Sequence, residues 1–127
     1  MPRSRTSARA AGTRTERAVA DYLAAALEDD RIDRRVKRGN ADRGDVSGVR
    51  AHGQRLVLEV KDCATQQLPR WTNEAHLEAG NDDALVGVVI AKRRGTGDPG
   101  RWWVHMTVDD LLALLSGSRH GHRRDIA

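Results

Sequence analysis

Apolar residues along this chain switch between two spacings, and the switches mark its elements. Val19, Tyr22, Leu23, Ala26 and Leu27 recur at helical spacing, which predicts an amphipathic helix. Thr13 with Glu16 three positions later gives a capping-box pattern, so this helix is expected to start at Thr13. Residues 32–38 read as a basic strand, and 39–43 as a loop. Residues 44–49 and 55–61 read as the two arms of a hairpin turned around Ala51 to Gln54. Trp71 to Ala79 is expected to be a helix, with Gly80-Asn81 as its C-terminal stop. Leu85-Val86-Gly87-Val88-Val89-Ile90-Ala91 is a continuous apolar run, as befits a strand covered on both faces. A Gly-rich basic loop, 93–100, leads to another strand, 101–106. Thr107 and Asp110 then open a last helix running through Leu111, Leu112, Leu114 and Leu115. The order α-β-β-β-α-β-β-α predicts an α/β fold. A three-stranded meander and one crossover place the apolar strand inside a mixed central sheet, with helices on both faces.

Length adds a limit. At 127 residues the chain has material for one layered core and no second one. Residues 1–12 are basic and rich in small side chains, and are expected to be a flexible arm. Residues 13–115 form the expected domain, and 116–127 an expected flexible basic tail. The formal net charge of +4 and the sequence pI of about 10.0 favour a polyanionic partner without naming it. The arginines cluster at the N-terminus, between Arg31 and Arg43, and near Arg119 to Arg124, an arrangement suited to phosphate contacts. Cys63 is the single cysteine, so no disulfide can close within the chain, and a reducing cytoplasm is expected. No stretch is long and apolar enough to suggest a membrane span or a signal peptide.

The candidate chemistry sits at the end of the second hairpin arm. Side chains on a strand alternate faces, so Glu59 and Lys61 share one face while Leu56, Leu58 and Val60 share the other. Asp45, at the start of the first arm, is expected to neighbour Glu59 across the hairpin. Two clustered carboxylates repel unless a cation lies between them, and hard oxygen ligands suit Mg²⁺, with Mn²⁺ as a substitute. That is the layout of a metal-dependent phosphodiesterase. Lysine is rare here, occurring only at Lys37, Lys61 and Lys92. Its compact ammonium at position 61 can hold a water or a phosphate oxygen, whereas the same tripeptide read blandly is an edge-strand ion pair. Glu16 lies on the apolar stripe of the first helix, and its capping and catalytic readings stand side by side. Glu74 and Glu78 could line the site, but an exposed helix face is the expectation. Trp71, Trp102 and Trp103 are expected to be mainly structural, with Trp102 and Trp103 facing opposite ways. The five histidines pair with no nucleophile.

Element order and motifs together resemble the restriction-endonuclease-like, or PD-(D/E)xK, nuclease superfamily. Within it the chain is similar to the Holliday junction resolvases of the archaeal type and their relatives in phages of actinobacteria. The residues that carry the likeness are Gly12-Thr13-Arg14-Thr15-Glu16-Arg17, Arg43-Gly44-Asp45-Val46-Ser47-Gly48 and Leu58-Glu59-Val60-Lys61. Gly44 stands where the superfamily's name has proline, a position that shapes a bend and supplies no ligand. The resemblance implies a Mg²⁺-dependent endonuclease acting on DNA, on a four-way junction in particular, as a homodimer. It implies metal ligation by Asp45, Glu59 and the backbone carbonyl of Val60. Lys61 would orient the attacking water, and Glu16 would complete the site through a water or a second ion. Arg14, Arg17, Lys37, Arg38 and Arg43 would contact DNA. The alternatives are another nuclease of the superfamily, acting on flaps, single strands or methylated sites, and a catalytically silent nucleic-acid-binding module.

Overall fold

The computed structural model describes residues 4–35 and 44–119. The expected order holds except that the first hairpin arm is split into two short strands, giving β1 Asp33–Arg34, β2 Val46–Ser47, β3 Arg50–Ala51, β4 Gln54–Lys61, β5 Val86–Ala91 and β6 Trp103–His105, interleaved with α1 Arg5–Leu27, α2 Leu68–Asn81 and α3 Val108–Ser116. The strands make one mixed sheet of six in the order β1-β2-β4-β5-β6, with β3 paired to β4 as well. Among the described residues only β4 and β5 run parallel, and α2 carries the chain between them, as a parallel pair requires. The apolar run is β5, buried along its whole length and flanked by strands on both sides.

Alternation along β4 divides the core. Leu58 and Val60 point into the larger cluster with Val19 and Ala20 of α1, Val86, Val88 and Ile90 of β5, Trp102, and Ala113 of α3. Val57 points the other way, against Ala79 of α2, where Trp71 and Ala75 pack on Val89 and Ala91. Helices α1 and α2 thus cover opposite faces. Gly87 sets how close α2 can come, because a Cβ there would lie 2.1 Å from the Ala75 carbonyl oxygen. Among the described residues, no helix is long and apolar enough to cross a membrane.

Four boundaries differ from expectation. Helix α1 begins at Arg5, where the Ser4 side chain accepts a hydrogen bond from the Ser7 amide. Residues 5–12 are therefore helix rather than arm, and Ala11 is buried. The Thr13–Glu16 capping box is not used, since both residues lie inside the helix. Helix α2 starts earlier than Trp71, using Pro69 in its first turn, and runs past Gly80 to Asn81; proline at that point removes an amide that would have no partner anyway. The strand expected at 101–106 is shortened to Trp103–His105 by a single 3₁₀ turn over Pro99–Arg101. The start of the expected tail is anchored. Gly117 caps α3, its carbonyl accepts from Gln54 Nε2 at 2.6 Å, and Arg119 bridges to Asp83 at 2.8 Å. The capping box of Thr107 and Asp110 forms as the sequence predicts.

Candidate active site

The hairpin that carries Asp45 is not continuous. Arg50 and Ala51 pair with Arg55 and Gln54, whereas Val46 pairs with Leu58. Four steps on the first arm thus match three on the second, leaving one extra residue: a β-bulge. Gly48 supplies it with a φ of +88°. Its missing Cβ makes room for Arg31, whose carbonyl oxygen would be 2.4 Å away.

This bulge decides the site. Had the β3 register run on, Asp45 would stand opposite Val60 and share its face, because a one-residue slip inverts every side chain. With the bulge, Val46 enters the α1-side core opposite Leu58, and Asp45 follows as the residue just outside β2. The Asp45 amide donates to the carbonyl of that same Leu58 at 2.9 Å. Beyond that bond the Asp45 side chain takes over the ladder: its Oδ2 accepts from the Val60 amide at 2.8 Å.

Both acids are buried, Asp45 at 3% and Glu59 at 5% relative exposure. Glu59 Oε1 lies 3.4 Å from Lys61 Nζ. Glu59 Oε2 is buried and, among the described residues, accepts no hydrogen bond. A carboxylate oxygen in that state carries a desolvation cost that a cation or a bound water would remove. The Val60 amide points toward Asp45, and in an extended strand the carbonyl of the same residue opens on the same edge. Two carboxylates and one carbonyl make an oxygen donor set fit for a hard divalent ion. Among the described residues, no three His, Cys, Asp or Glu side chains group closely enough to hold a metal, so water would complete the coordination.

Lys61 is set by a partner from α2. Its Nζ donates to Glu74 Oε2 at 2.7 Å, and Arg70 holds the other Glu74 oxygen at 3.1 Å. Burial alone would push the Lys61 ammonium down; the Glu74 hydrogen bond and the charges of Glu59 and Glu74 outweigh it and raise its pKa. The Lys61 hydrogen bond holds the Glu74 carboxyl below its usual range. Lys61 therefore stays a cation, positioned between two acids. Glu74 is not the exposed helix residue expected, because the close approach of α2 over Gly87 brings it down onto the end of β4. The glutamate was visible in the sequence, but the helix-to-strand distance was not. Glu78, four residues on, is also buried, as is Asp82, which draws Arg35 and Arg55 to 3.6 and 3.5 Å; neither arginine partner was foreseen.

No family model, curated protein or solved structure matches this chain. Its own geometry carries the functional reading.

Glu16 stands apart from the pair. It is taken up by Arg34 Nε at 2.8 Å, and it does not join Asp45 and Glu59 in a metal-holding group among the described residues. Its neighbour Thr15 donates instead to Asp62 Oδ2 at 2.8 Å, tying α1 to the residue after β4. Arg17 is engaged by Asp33 and Asp21, with the Asp33 hydrogen bond raising its pKa, while Arg14 is exposed. Lys37, Arg38 and Arg43 lie outside the described residues. A groove at the carboxyl ends of β4 and β5 is lined by Asp62, Cys63, Lys92, Arg93, Arg94 and Thr96. Trp71 is buried in the α2-side core, which excludes it from stacking on a base. Trp102 is buried with its indole N–H donating to the Thr96 carbonyl, and Trp103 is half-exposed under the Arg93 guanidinium.

Proposed function

We propose that the chain is a metal-dependent DNA endonuclease of the restriction-endonuclease-like fold, acting on branched DNA such as a four-way junction. The observation that carries this reading is the buried Glu59 Oε2, without a hydrogen-bond partner among the described residues, beside the Lys61 ammonium and next in sequence to the Val60 amide that Asp45 binds. Asp45, Glu59 and the Val60 carbonyl would hold Mg²⁺ or Mn²⁺. When bound, such an ion supplies positive charge that lowers the pKa of a water and neutralises a phosphoryl oxygen. Lys61, clamped by Glu74, orients the attacking water or faces the charge that grows on the phosphate. The ends of β4 and β5 open beside the basic groove with Lys92, Arg93 and Arg94, where flanking phosphates would find cations. A surplus of basic residues supports a polyanionic substrate.

The test is cleavage of a labelled four-way junction and of linear duplex in Mg²⁺ by wild type, Asp45→Asn and Glu59→Gln. Symmetric nicks in the junction alone are expected, with each substitution lowering the rate at least about a hundredfold. Cleavage that survives both substitutions removes the site. Binding of every DNA with cutting of none would establish a silent binding module instead.

A further inference from the structure

Trp102 and Trp103 are neighbours in sequence with opposite fates. Trp102 is buried in the α1-side core. Trp103 is 44% exposed and, by the alternation of an extended chain, faces the α2 side. Its register fixes its place on that face. Trp103 pairs with Ala91, and Ala91 pairs with Lys61. Residues opposite one another in a sheet share a face, so Lys61, Ala91 and Trp103 form one row across β4, β5 and β6, at the rim where β4 and β5 end. Two strand spacings set the backbones of Lys61 and Trp103 about 10 Å apart. That is the rise of about three nucleotides along one DNA strand.

The exposed ring is accompanied by cations. Arg93 lays its guanidinium 4.4 Å from the centroid of Trp103, and Lys92, Arg93 and Arg94 line the adjoining groove. Val104 is exposed too, but it pairs with Ile90 of the α1-side core and therefore points away from Trp103. An indole flanked by arginine suits a nucleotide better than an apolar protein segment. Every base has a face that stacks on an aromatic ring or a guanidinium plane, while its phosphates take the surrounding cations. Trp71 and Trp102 are both buried, which leaves Trp103 as the tryptophan that a base can reach.

We infer that Trp103, with Arg93 stacked on it, is a platform for an unpaired base of the substrate, and that it selects branched DNA carrying an unpaired nucleotide near the phosphate to be cut. In a closed duplex each base is covered by its neighbours, so the ring meets only a base that has left the stack. The inference rests on the nuclease reading for the identity of the substrate. Lys61 faces the reacting phosphate, and Trp103, at the far end of the same row, holds a base a few nucleotides along the strand. Trp103 is thus a specificity-determining residue and takes no part in the hydrolysis.

Binding of the full chain to two DNAs in EDTA, where no metal-dependent cutting occurs, tests it. One is a blunt duplex; the other is the same duplex with an unpaired branch whose first base is a fluorescent adenine analogue. Trp103→Leu should weaken binding of the branched DNA about five- to a hundredfold and leave the blunt duplex unchanged. Trp103→Phe, which keeps an aromatic face, should retain most of the affinity. At saturating protein, wild type should quench the analogue and Trp103→Leu should not, a readout that a merely structural role would not move. Arg94→Gln should weaken both DNAs alike, as a phosphate contact does. Equal loss on both DNAs for Trp103→Leu overturns the inference. No loss on either also overturns it and leaves the ring to a protein contact. The two readings fail separately: a Trp103-dependent preference in a chain that never cuts keeps the platform and removes the nuclease. Cutting that depends on Asp45 but not on Trp103, on branched and blunt DNA alike, does the reverse.

Discussion

Replacing Gly48 by alanine tests the link between the bulge and the site. The φ of +88° puts an L-residue in the left-handed region, at a cost of about 1–2 kcal/mol. The new Cβ would also sit 2.4 Å from the Arg31 carbonyl oxygen and 2.9 Å from its carbon. Those are backbone atoms at the end of the α1–β1 connection, so nothing flexible can yield. Overpacking of that kind adds about 1–3 kcal/mol. The total of about 2–5 kcal/mol is a large share of the stability of any small domain, and lowers Tm by roughly 8–20 °C. Gly53→Ala is the control. Its φ is +72° in the β3–β4 turn, yet a Cβ there meets nothing within 4 Å, so only the backbone term of about 1–2 kcal/mol applies. Thermal unfolding followed by circular dichroism compares the two. A second readout reaches the site: the Val60 amide, bonded to Asp45 Oδ2, should exchange with solvent faster in folded Gly48→Ala than in folded Gly53→Ala. If the two variants melt within about 2 °C of each other and protect Val60 equally, the bulge does not set the position of Asp45.

The clamp on Lys61 predicts a coupling of about 0.5–1 kcal/mol between Glu74→Gln and Lys61→Met in a double-mutant cycle of stability, modest because Glu74 is partly open to solvent; additivity would show that the 2.7 Å pair does not persist in solution. Asp29, held by Arg31, has its carboxyl lowered from 3.8 to about 2. The folded value is the depressed one, so the pair's contribution is present above pH 3.8 and is lost as pH falls through about 2. A carboxyl-detected NMR titration should find that midpoint, and one near 3.8 would refute the pairing.

Much of the fold was legible because its signals are local. The apolar run of β5 needed only composition, and the Thr107–Asp110 box only a spacing of three. The start of α1 was misplaced for an equally local reason. Two adequate caps compete, Ser4 and Thr13, and nothing within 5–12 breaks a helix except the mild cost of Gly12. Burial of Ala11 and the Thr15–Asp62 bond come from contacts distant in sequence, and they favour the longer helix. Removing residues 1–11 would therefore strip helix and packing along with positive charge.

The expectation that Asp45 stands near the end of β4 rested on an unbroken hairpin, and the structure breaks that hairpin. Counting back along an unbroken hairpin from the His52-Gly53 turn pairs Asp45 with Val60 and sets Val46 opposite Glu59, away from the core cluster it joins. The extra residue at Gly48 moves Val46 to Leu58 and puts Asp45 where its amide meets the Leu58 carbonyl and its side chain meets the Val60 amide, and nothing short of the observed register distinguishes a bulge glycine from a turn glycine in this stretch. The same holds for Glu74, which becomes a partner of Lys61 only because Gly87 lets α2 sit against the sheet. Two glycines, neither of which carries any chemistry, thus determine which charged groups meet. Residue type can nominate an acid or an amine for a site, but here the backbone approach permitted by an absent Cβ is what brings the nominees within reach of one another.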